Sequence, residues 1–157
     1  DFKNELLAAE KDLAELDGGK TRSFAYTCCH ETVGDPPVPI HDEVLSLFPS
    51  ARTGWSALPD LATMPFAQVP SLPVQPHHTG EDLIALVNEA REKRTWAVFM
   101  FHKVTDDQST WGDYDGPVQP HHELLDHLAA SDDVWTATFL DVTQYLREQR
   151  GEPWSRA

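Results

Sequence analysis

The sequence has no long apolar run and few basic residues, and each shortage excludes a class of function. No stretch of about 18 apolar residues is present, so the sequence predicts no membrane span. Lys and Arg number 12 against 26 Asp and Glu, which gives a formal net charge of −14. A surface of that sign repels nucleic acid and anionic lipid, so neither is expected as a partner. Neutral sugars remain open as partners, and so does a charge that serves solubility alone.

Cysteine is also scarce, since Cys28 and Cys29 are the only two and they are neighbours in the chain. Adjacent cysteines rarely pair, because the small ring they would close distorts the geometry that a disulfide prefers. We therefore expect two buried thiols rather than a metal site or a redox site. A hydrolase that uses Cys28 with His30 is a weaker hypothesis, because no third, orienting group is evident.

The length of 157 residues corresponds to about one domain, so we expect a single domain or part-domain over residues 1–157. The chain begins at Asp1, without Met and without a signal peptide. It is therefore expected to be a mature, trimmed or partial chain.

Apolar periodicity predicts helices alternating with strands. Residues at helical spacing predict helices over 2–16, 41–48 and 121–130, a fourth around 83–90 and a closing helix from 142. Strands are predicted for SFAYT at 23–27, ARTGW at 51–55, TWAVFMF at 95–101 and VWTATF at 134–139. Long loops are predicted over 56–76 and 102–120. This order favours a parallel sheet, open or closed into a barrel, with the active site at the carboxyl ends of the strands.

The hexapeptide PVQPHH occurs twice, at Pro73–His78 and at Pro117–His122. Each copy precedes a predicted helix, and proline is well tolerated where a chain enters a helix. Adjacent histidines in a helix point about 100° apart, which does not suit one metal ion. The histidine pairs are interpreted as structural or surface residues at two successive helix entrances; a metal site or substrate contacts are the alternatives.

Four segments together resemble the carboxyl half of a polysaccharide deacetylase of carbohydrate esterase family 4. RTWAVFMFHKV is similar to the family's hydrophobic strand that ends in a histidine, and HHELLDHLAASDDVWTATFLDVTQYL is similar to the helix, strand and helix that follow. The first helix followed by SFAYT, and then SARTGW, resemble the segments around the family's third motif. The order and spacing of the four segments carry the resemblance, which covers nearly the whole chain.

The resemblance implies a distorted (β/α) barrel, of which this chain covers the carboxyl half. It implies hydrolysis of acetyl groups from a polysaccharide or oligosaccharide such as chitin, peptidoglycan or acetylated xylan, in a secreted or periplasmic protein. The family uses a divalent metal, usually zinc, held by an early DD motif and an HxxxH motif. This sequence has no HxxxH, and its DD pairs at 106–107 and 132–133 are in the wrong places. The metal ligands are therefore expected outside this chain, on an upstream half of the same barrel; that half or a second copy is the expected protein partner.

Three catalytic residues follow from the resemblance. His102 matches the histidine that protonates the leaving group, although a satisfied histidine at a strand end is the alternative. Cys28 lies where a backbone N–H stabilises the oxyanion, but Thr27 and Cys29 replace the Pro and Gly of the family pattern. Arg52 is expected to pair with the catalytic aspartate of the upstream segment, and a surface salt bridge is its alternative.

Three further residues are expected to contact the substrate. Phe99 replaces the usual Leu beside the acetyl methyl group. Trp55 is a candidate wall for the sugar, with core packing as the favoured alternative, and Tyr26 is the third candidate. A second function remains open for the whole chain: a non-catalytic carbohydrate-binding or interaction module derived from a deacetylase.

Overall fold

The protein is described by a computed structural model that covers residues 2–107, 112 and 115–155. These residues form five helices and eight two-residue strands. The helices are α1 Phe2–Asp17, α2 His41–Leu47, α3 Gly80–Lys93, α4 Val118–Ala129 and α5 Phe139–Gln149. The strands are β1 Phe24–Ala25, β2 Thr32–Val33, β3 Val38–Pro39, β4 Ala51–Arg52, β5 Leu72–Pro73, β6 Phe99–Met100, β7 Lys103–Val104 and β8 Asp115–Gly116. None of the helices in these ranges has the length and apolarity needed to cross a bilayer.

The strands pair mostly in parallel, so the chain is a mixed α/β protein as predicted. β1 pairs with β4, β5 with β6, and β7 with β8, all in parallel, while β2 and β3 form an antiparallel hairpin. A parallel bridge from Arg52 to Val69 extends the first pair. Within the described residues these pairs do not close into a barrel. The coarse prediction of an α/β fold with parallel strands is therefore confirmed, whereas the barrel stays a prediction.

The helices lie close to their predicted positions, but the strands differ. VWTATF at 134–139 was expected to be a strand, yet residues 134–138 form no ladder and Phe139 begins α5. The predicted loop over 56–76 contains β5, and the predicted loop over 102–120 contains β7 and β8. Of that second loop, residues 108–111, 113 and 114 lie outside the described residues. α4 begins at Val118, so the second PVQPHH runs into the helix instead of preceding it.

The chain divides into two compact units. The first consists of Asp1–Thr53, Pro65–Val69 and Phe139–Ala157, and the second of Gly54–Met64 and Pro70–Thr138. The first therefore holds α1, β1 to β4, α2 and α5, and the second holds β5 to β8, α3 and α4.

The first unit is built around α2 and the β1–β4 pair. Its core cluster consists of Tyr26, Ile40, Val44, Leu47, Phe48 and Ala51. Phe2 and Leu6 of α1 pack against this cluster, which explains the four-residue apolar spacing at the start of the sequence. α5, near the end of the sequence, is joined to this unit by a hydrogen bond in which the Arg147 guanidinium donates to the Pro49 carbonyl at 2.8 Å.

The second unit packs α3 and α4 against β6. Its core cluster consists of Val74, Leu83, Val87 and Leu124, with Phe99 and Phe101 packed against it. The start of α3 is fixed by a capping box, in which Thr79 accepts from the Asp82 N–H and the Asp82 carboxylate accepts from the Thr79 N–H. The two helices approach closely there: a Cβ added to Gly80 would meet the Glu123 side chain.

Candidate functional site

The turn after β1 contains two successive left-handed residues. Cys28 has a φ of 50° and Cys29 a φ of 59°, a conformation that side chains with a Cβ rarely adopt. The turn is closed by two backbone hydrogen bonds, from the Cys29 N–H to the Tyr26 carbonyl and from the His30 N–H to the Thr27 carbonyl, both at 3.0 Å. The Cys28 N–H has no acceptor among the described residues. It is therefore a free donor at the carboxyl end of a parallel strand.

Both thiols of this turn are exposed, so the expectation that Cys28 and Cys29 are buried is wrong. The physical reason is the length of β1. The strand ends at Ala25, and only Tyr26 of the following residues turns into the core; the chain from Thr27 to His30 lies on the surface.

Tyr26 is the buried neighbour of this turn. Its side chain is 2% exposed, with its ring edge-on to Phe24 at 5.4 Å and to His41 at 5.9 Å between centroids. Its hydroxyl is buried and has no hydrogen-bond partner among the described residues. Burial, together with the nearby charge of Glu31, raises the pKa of Tyr26 to about 12. Its predicted contact with substrate stays a prediction.

The carboxylate of Glu31, which no sequence pattern indicates as a site residue, lies near this tyrosine. One oxygen of Glu31, Oε2, accepts from His41 Nε2 at 2.9 Å and from Gln68 Nε2 at 2.7 Å. Glu31 flanks the β2–β3 hairpin, and its carbonyl accepts from the Ile40 N–H at 3.1 Å. Since the hairpin folds the chain back, it carries His41 to Glu31. The turn residues in GDPPVP are the only sequence signal that could have indicated this pairing.

Arg52 ends the strand beside this turn. It lies opposite Ala25 in the parallel register, and its carbonyl accepts from the Tyr26 N–H at 3.2 Å. The guanidinium donates to the Thr53 carbonyl at 3.4 Å. Tyr26 and Arg52 are thus brought together at the carboxyl end of β1 and β4, and Cys28 follows Tyr26 by two residues. The expected pairing of Arg52 with an upstream aspartate stays a prediction.

The other three predicted site residues belong to the second unit. Phe99 lies in β6 opposite Leu72, is half-buried and packs against the core of that unit. His102 is exposed and lies two residues after the end of β6, on the carboxyl side of that strand. Trp55 is 61% exposed, so the alternative that it packs in the core is wrong. Its carbonyl accepts from the Ser71 N–H at 3.1 Å.

The two histidine pairs have different surroundings. His78 Nδ1 accepts from the Gln75 N–H at 3.0 Å, which requires that nitrogen to be unprotonated. Burial, and then the charge of neighbouring His77, lowers the pKa of His78, while Asp82 opposes the shift. His121 lies within α4, edge-on to Phe101 at 5.1 Å between centroids. Among residues 2–107, 112 and 115–155, no three His, Cys, Asp or Glu side chains converge as metal ligands would.

A cavity of about 420 Å³ in the second unit is separate from the predicted site residues. Its lining residues are Leu58, Pro59, Asp60, Leu61, Ala62, Lys93, Arg94 and Thr95. A scan of protein-family models finds no match, and searches of curated proteins and of solved structures find none either. The chemistry of the residues themselves therefore carries the functional argument.

Proposed function

We propose that this chain is the carboxyl part of a polysaccharide-deacetylase-type hydrolase, which removes acetyl groups from a polysaccharide or oligosaccharide. One observation carries the proposal: each candidate catalytic residue ends a parallel strand or lies within three residues after the end of one. Cys28 follows β1, Arg52 ends β4 and His102 follows β6. The carboxyl ends of parallel strands are where α/β enzymes assemble their active sites.

His102 is the proposed general acid, which protonates the leaving oxygen or nitrogen of the sugar. An imidazole changes its protonation close to neutral pH, so it can deliver a proton at the working pH of most enzymes. The exposed position of His102 at the end of β6 supports the role, because a substrate can reach it.

The turn after β1 is proposed to stabilise the oxyanion of the tetrahedral intermediate. The unused N–H of Cys28 supports this role, because an oxyanion hole needs a fixed donor that is not consumed within the protein. The neighbouring N–H groups of Cys29 and His30 are used to hold the turn, so the donor is fixed in place.

The metal of such a hydrolase is proposed to be held outside this chain. The support for this proposal is the sequence, which has no HxxxH motif and has its DD pairs at 106–107 and 132–133. The divalent ion, zinc by the resemblance, would be bound by an upstream segment that carries the DD and HxxxH motifs. That segment, or a second copy of the chain, is the proposed protein partner.

Two further features support a neutral sugar as substrate. The net charge of −14 repels anionic polymers but not a neutral acetylated glycan. The exposed indole of Trp55 offers an apolar face with a polar edge, which suits the face of a sugar ring.

The test is His102→Ala in the protein extended by the upstream segment, with acetate release from an acetylated oligosaccharide as the measurement. We expect turnover to fall by ~10²-fold or more, the usual contribution of a positioned acid. Bound metal should be unchanged, because His102 is not a proposed ligand. The matched control is His122→Ala, an exposed histidine without a proposed role, which should leave turnover unchanged. Equal turnover in His102→Ala and the parent protein would reject the role.

A non-catalytic carbohydrate-binding module is the second candidate. The observation that favours it is the exposure of two tryptophans in the same unit, Trp55 at 61% and Trp135 at 58%. Quenching or enhancement of tryptophan fluorescence by an acetylated oligosaccharide, without release of acetate by the extended protein, would select this function over the first.

A further inference from the structure

Cys28 and Cys29 are consecutive residues, and both of their thiols are exposed. Both are free and exposed, and both belong to the turn Thr27–Cys29 that follows β1. The proposed deacetylation uses only the backbone of this turn, so the thiols have no part in it.

The backbone is strained at both cysteines, because each has a positive φ. A non-glycine residue in the left-handed region costs roughly 1–2 kcal/mol, and this turn holds two such residues in succession. Strained residues of this kind are concentrated at ligand clamps and active sites. The two hydrogen bonds from Cys29 and His30 maintain the conformation, so the two thiols are presented by an ordered turn.

Geometry disfavours a direct disulfide between them. The peptide between them is trans, and consecutive Cα atoms across a trans peptide lie about 3.80 Å apart, whereas disulfides prefer about 4.4–6.8 Å. A larger atom that bridges the two sulfurs relieves this constraint, because it holds them further apart than an S–S bond of about 2.05 Å. No third ligand converges with the thiols among the described residues. The bridging atom must therefore be one that binds only two sulfur atoms of the protein.

We propose that Cys28 and Cys29 form a dithiol site for a monosubstituted trivalent arsenical, a soft thiophilic centre that takes two sulfur ligands. Two As–S bonds form and the As=O bond breaks, and the oxygen leaves as water with the two thiol protons. No electrons are transferred, so neither an oxidant nor a reductant is needed. An uncharged arsenical is not repelled by the acidic surface.

The test uses phenylarsine oxide and the whole chain, with the intact mass and the number of free thiols as measurements. We expect one adduct per chain, loss of both free thiols at one equivalent, resistance to excess 2-mercaptoethanol and release by dithiothreitol. The matched controls are Cys28→Ser and Cys29→Ser, each with one thiol, whose adducts should be removed by 2-mercaptoethanol. Circular dichroism checks that each variant is folded.

Two outcomes would overturn the proposal. One is the addition of two arsenicals per chain, which shows that the thiols react separately. The other is an adduct of the parent chain that 2-mercaptoethanol removes as easily as it does from the single-thiol variants. Neither readout depends on acetate release, so failure here and failure of the proposed hydrolase are distinguishable.

Discussion

At the scale of single residues, the left-handed backbone of the turn after β1 should lower the free energy of unfolding, and a substitution can measure by how much. Cys29 has a φ of 59°, a left-handed conformation that glycine adopts without steric cost. Cys29→Gly removes the clash of Cβ with the backbone, offset by the larger entropy loss of glycine on folding. We expect the free energy of unfolding in urea to rise by up to about 1 kcal/mol. Cys29→Ala is the control and should not rise, since alanine keeps the Cβ; a lower stability of the glycine variant would contradict the prediction.

A second prediction at this scale concerns the buried hydroxyl of Tyr26. Because this hydroxyl has no partner among the described residues, removing it leaves no other group unpaired. Tyr26→Phe should therefore leave the free energy of unfolding unchanged or raise it by about 1 kcal/mol. In contrast, loss of a hydroxyl that makes a hydrogen bond lowers the free energy of unfolding by about 1 kcal/mol. Urea unfolding measures this. A clear loss of stability would show that the hydroxyl is hydrogen-bonded, for instance to a water molecule.

The residue-scale predictions failed where contacts join distant parts of the sequence. Glu31 meets His41 across a hairpin and Gln68 from a separate segment, and no periodicity links those three positions. Cys28 and Cys29 were expected to be buried free thiols, because adjacent cysteines rarely pair. The short strand before them instead leaves the turn in solvent.

At the scale of the element, Gly80 tests the contact between α3 and α4. A Cβ at this position would lie 1.8 Å from Oε2 and 2.8 Å from Cβ of Glu123, so something must shift. We expect Gly80→Ala to lower the free energy of unfolding by about 1–3 kcal/mol, the usual cost of overpacking, despite the better helix propensity of alanine.

The control for this contact is a double-mutant cycle with Glu123→Ala. Removing the carboxylate eliminates the shorter clash but leaves the Glu123 Cβ, so the cost of Gly80→Ala should fall without disappearing. An equal cost in both backgrounds would show that the Glu123 carboxylate does not contribute to the clash at Gly80.

The entrance to α3 predicts a dependence on pH. Burial lowers the pKa of His78, and its neutral Nδ1 accepts the Gln75 N–H. On acidification the unfolded chain therefore takes up a proton before the folded chain does. The contribution of His78 to stability is full above its unfolded pKa of about 6.5 and is lost as pH falls below it. Urea unfolding between about pH 8 and about pH 5 should show a smaller decline in His78→Gln than in the parent chain. His122→Gln should decline like the parent; the same decline in His78→Gln would contradict the assignment.

Helices were predictable at this scale and strands less so. The four-residue spacing of Phe2 and Leu6, and of Leu83 and Val87, reflects faces that pack on a core, and both helices lie where the spacing places them. The strands are two residues long, so apolar runs such as VWTATF exceed any ladder they could form. β7 and β8 are polar or glycine-containing pairs without an apolar run, which no periodicity would reveal.

At the scale of the whole molecule, the sequence predicted the class of fold but not its closure. Alternating helices and strands were sufficient to predict parallel pairing, because parallel strands need a crossover between them. A barrel depends on how many strands meet around one axis, which local patterns do not encode. The same limit applies to the site: Cys28 and His102 are candidates through the resemblance, and the structure places them after β1 and β6.

The last prediction concerns association of the isolated chain. In the part of the chain that the structure describes, β5 pairs with β6 alone, so backbone groups at the strand edges lack a ladder partner. Such edges favour pairing with another chain, although two-residue strands offer few hydrogen bonds. The net charge of −14 opposes association at low salt, where the Debye length is about 30 Å at 0.01 M, and much less at 0.15 M, where it is about 8 Å. Light scattering after size exclusion should therefore show a mass that rises with salt and with protein concentration. His77→Gln combined with His78→Gln should associate like the parent, because these histidines lie at a helix entrance. A single chain mass at every salt and concentration would show that the half-barrel hypothesis is wrong.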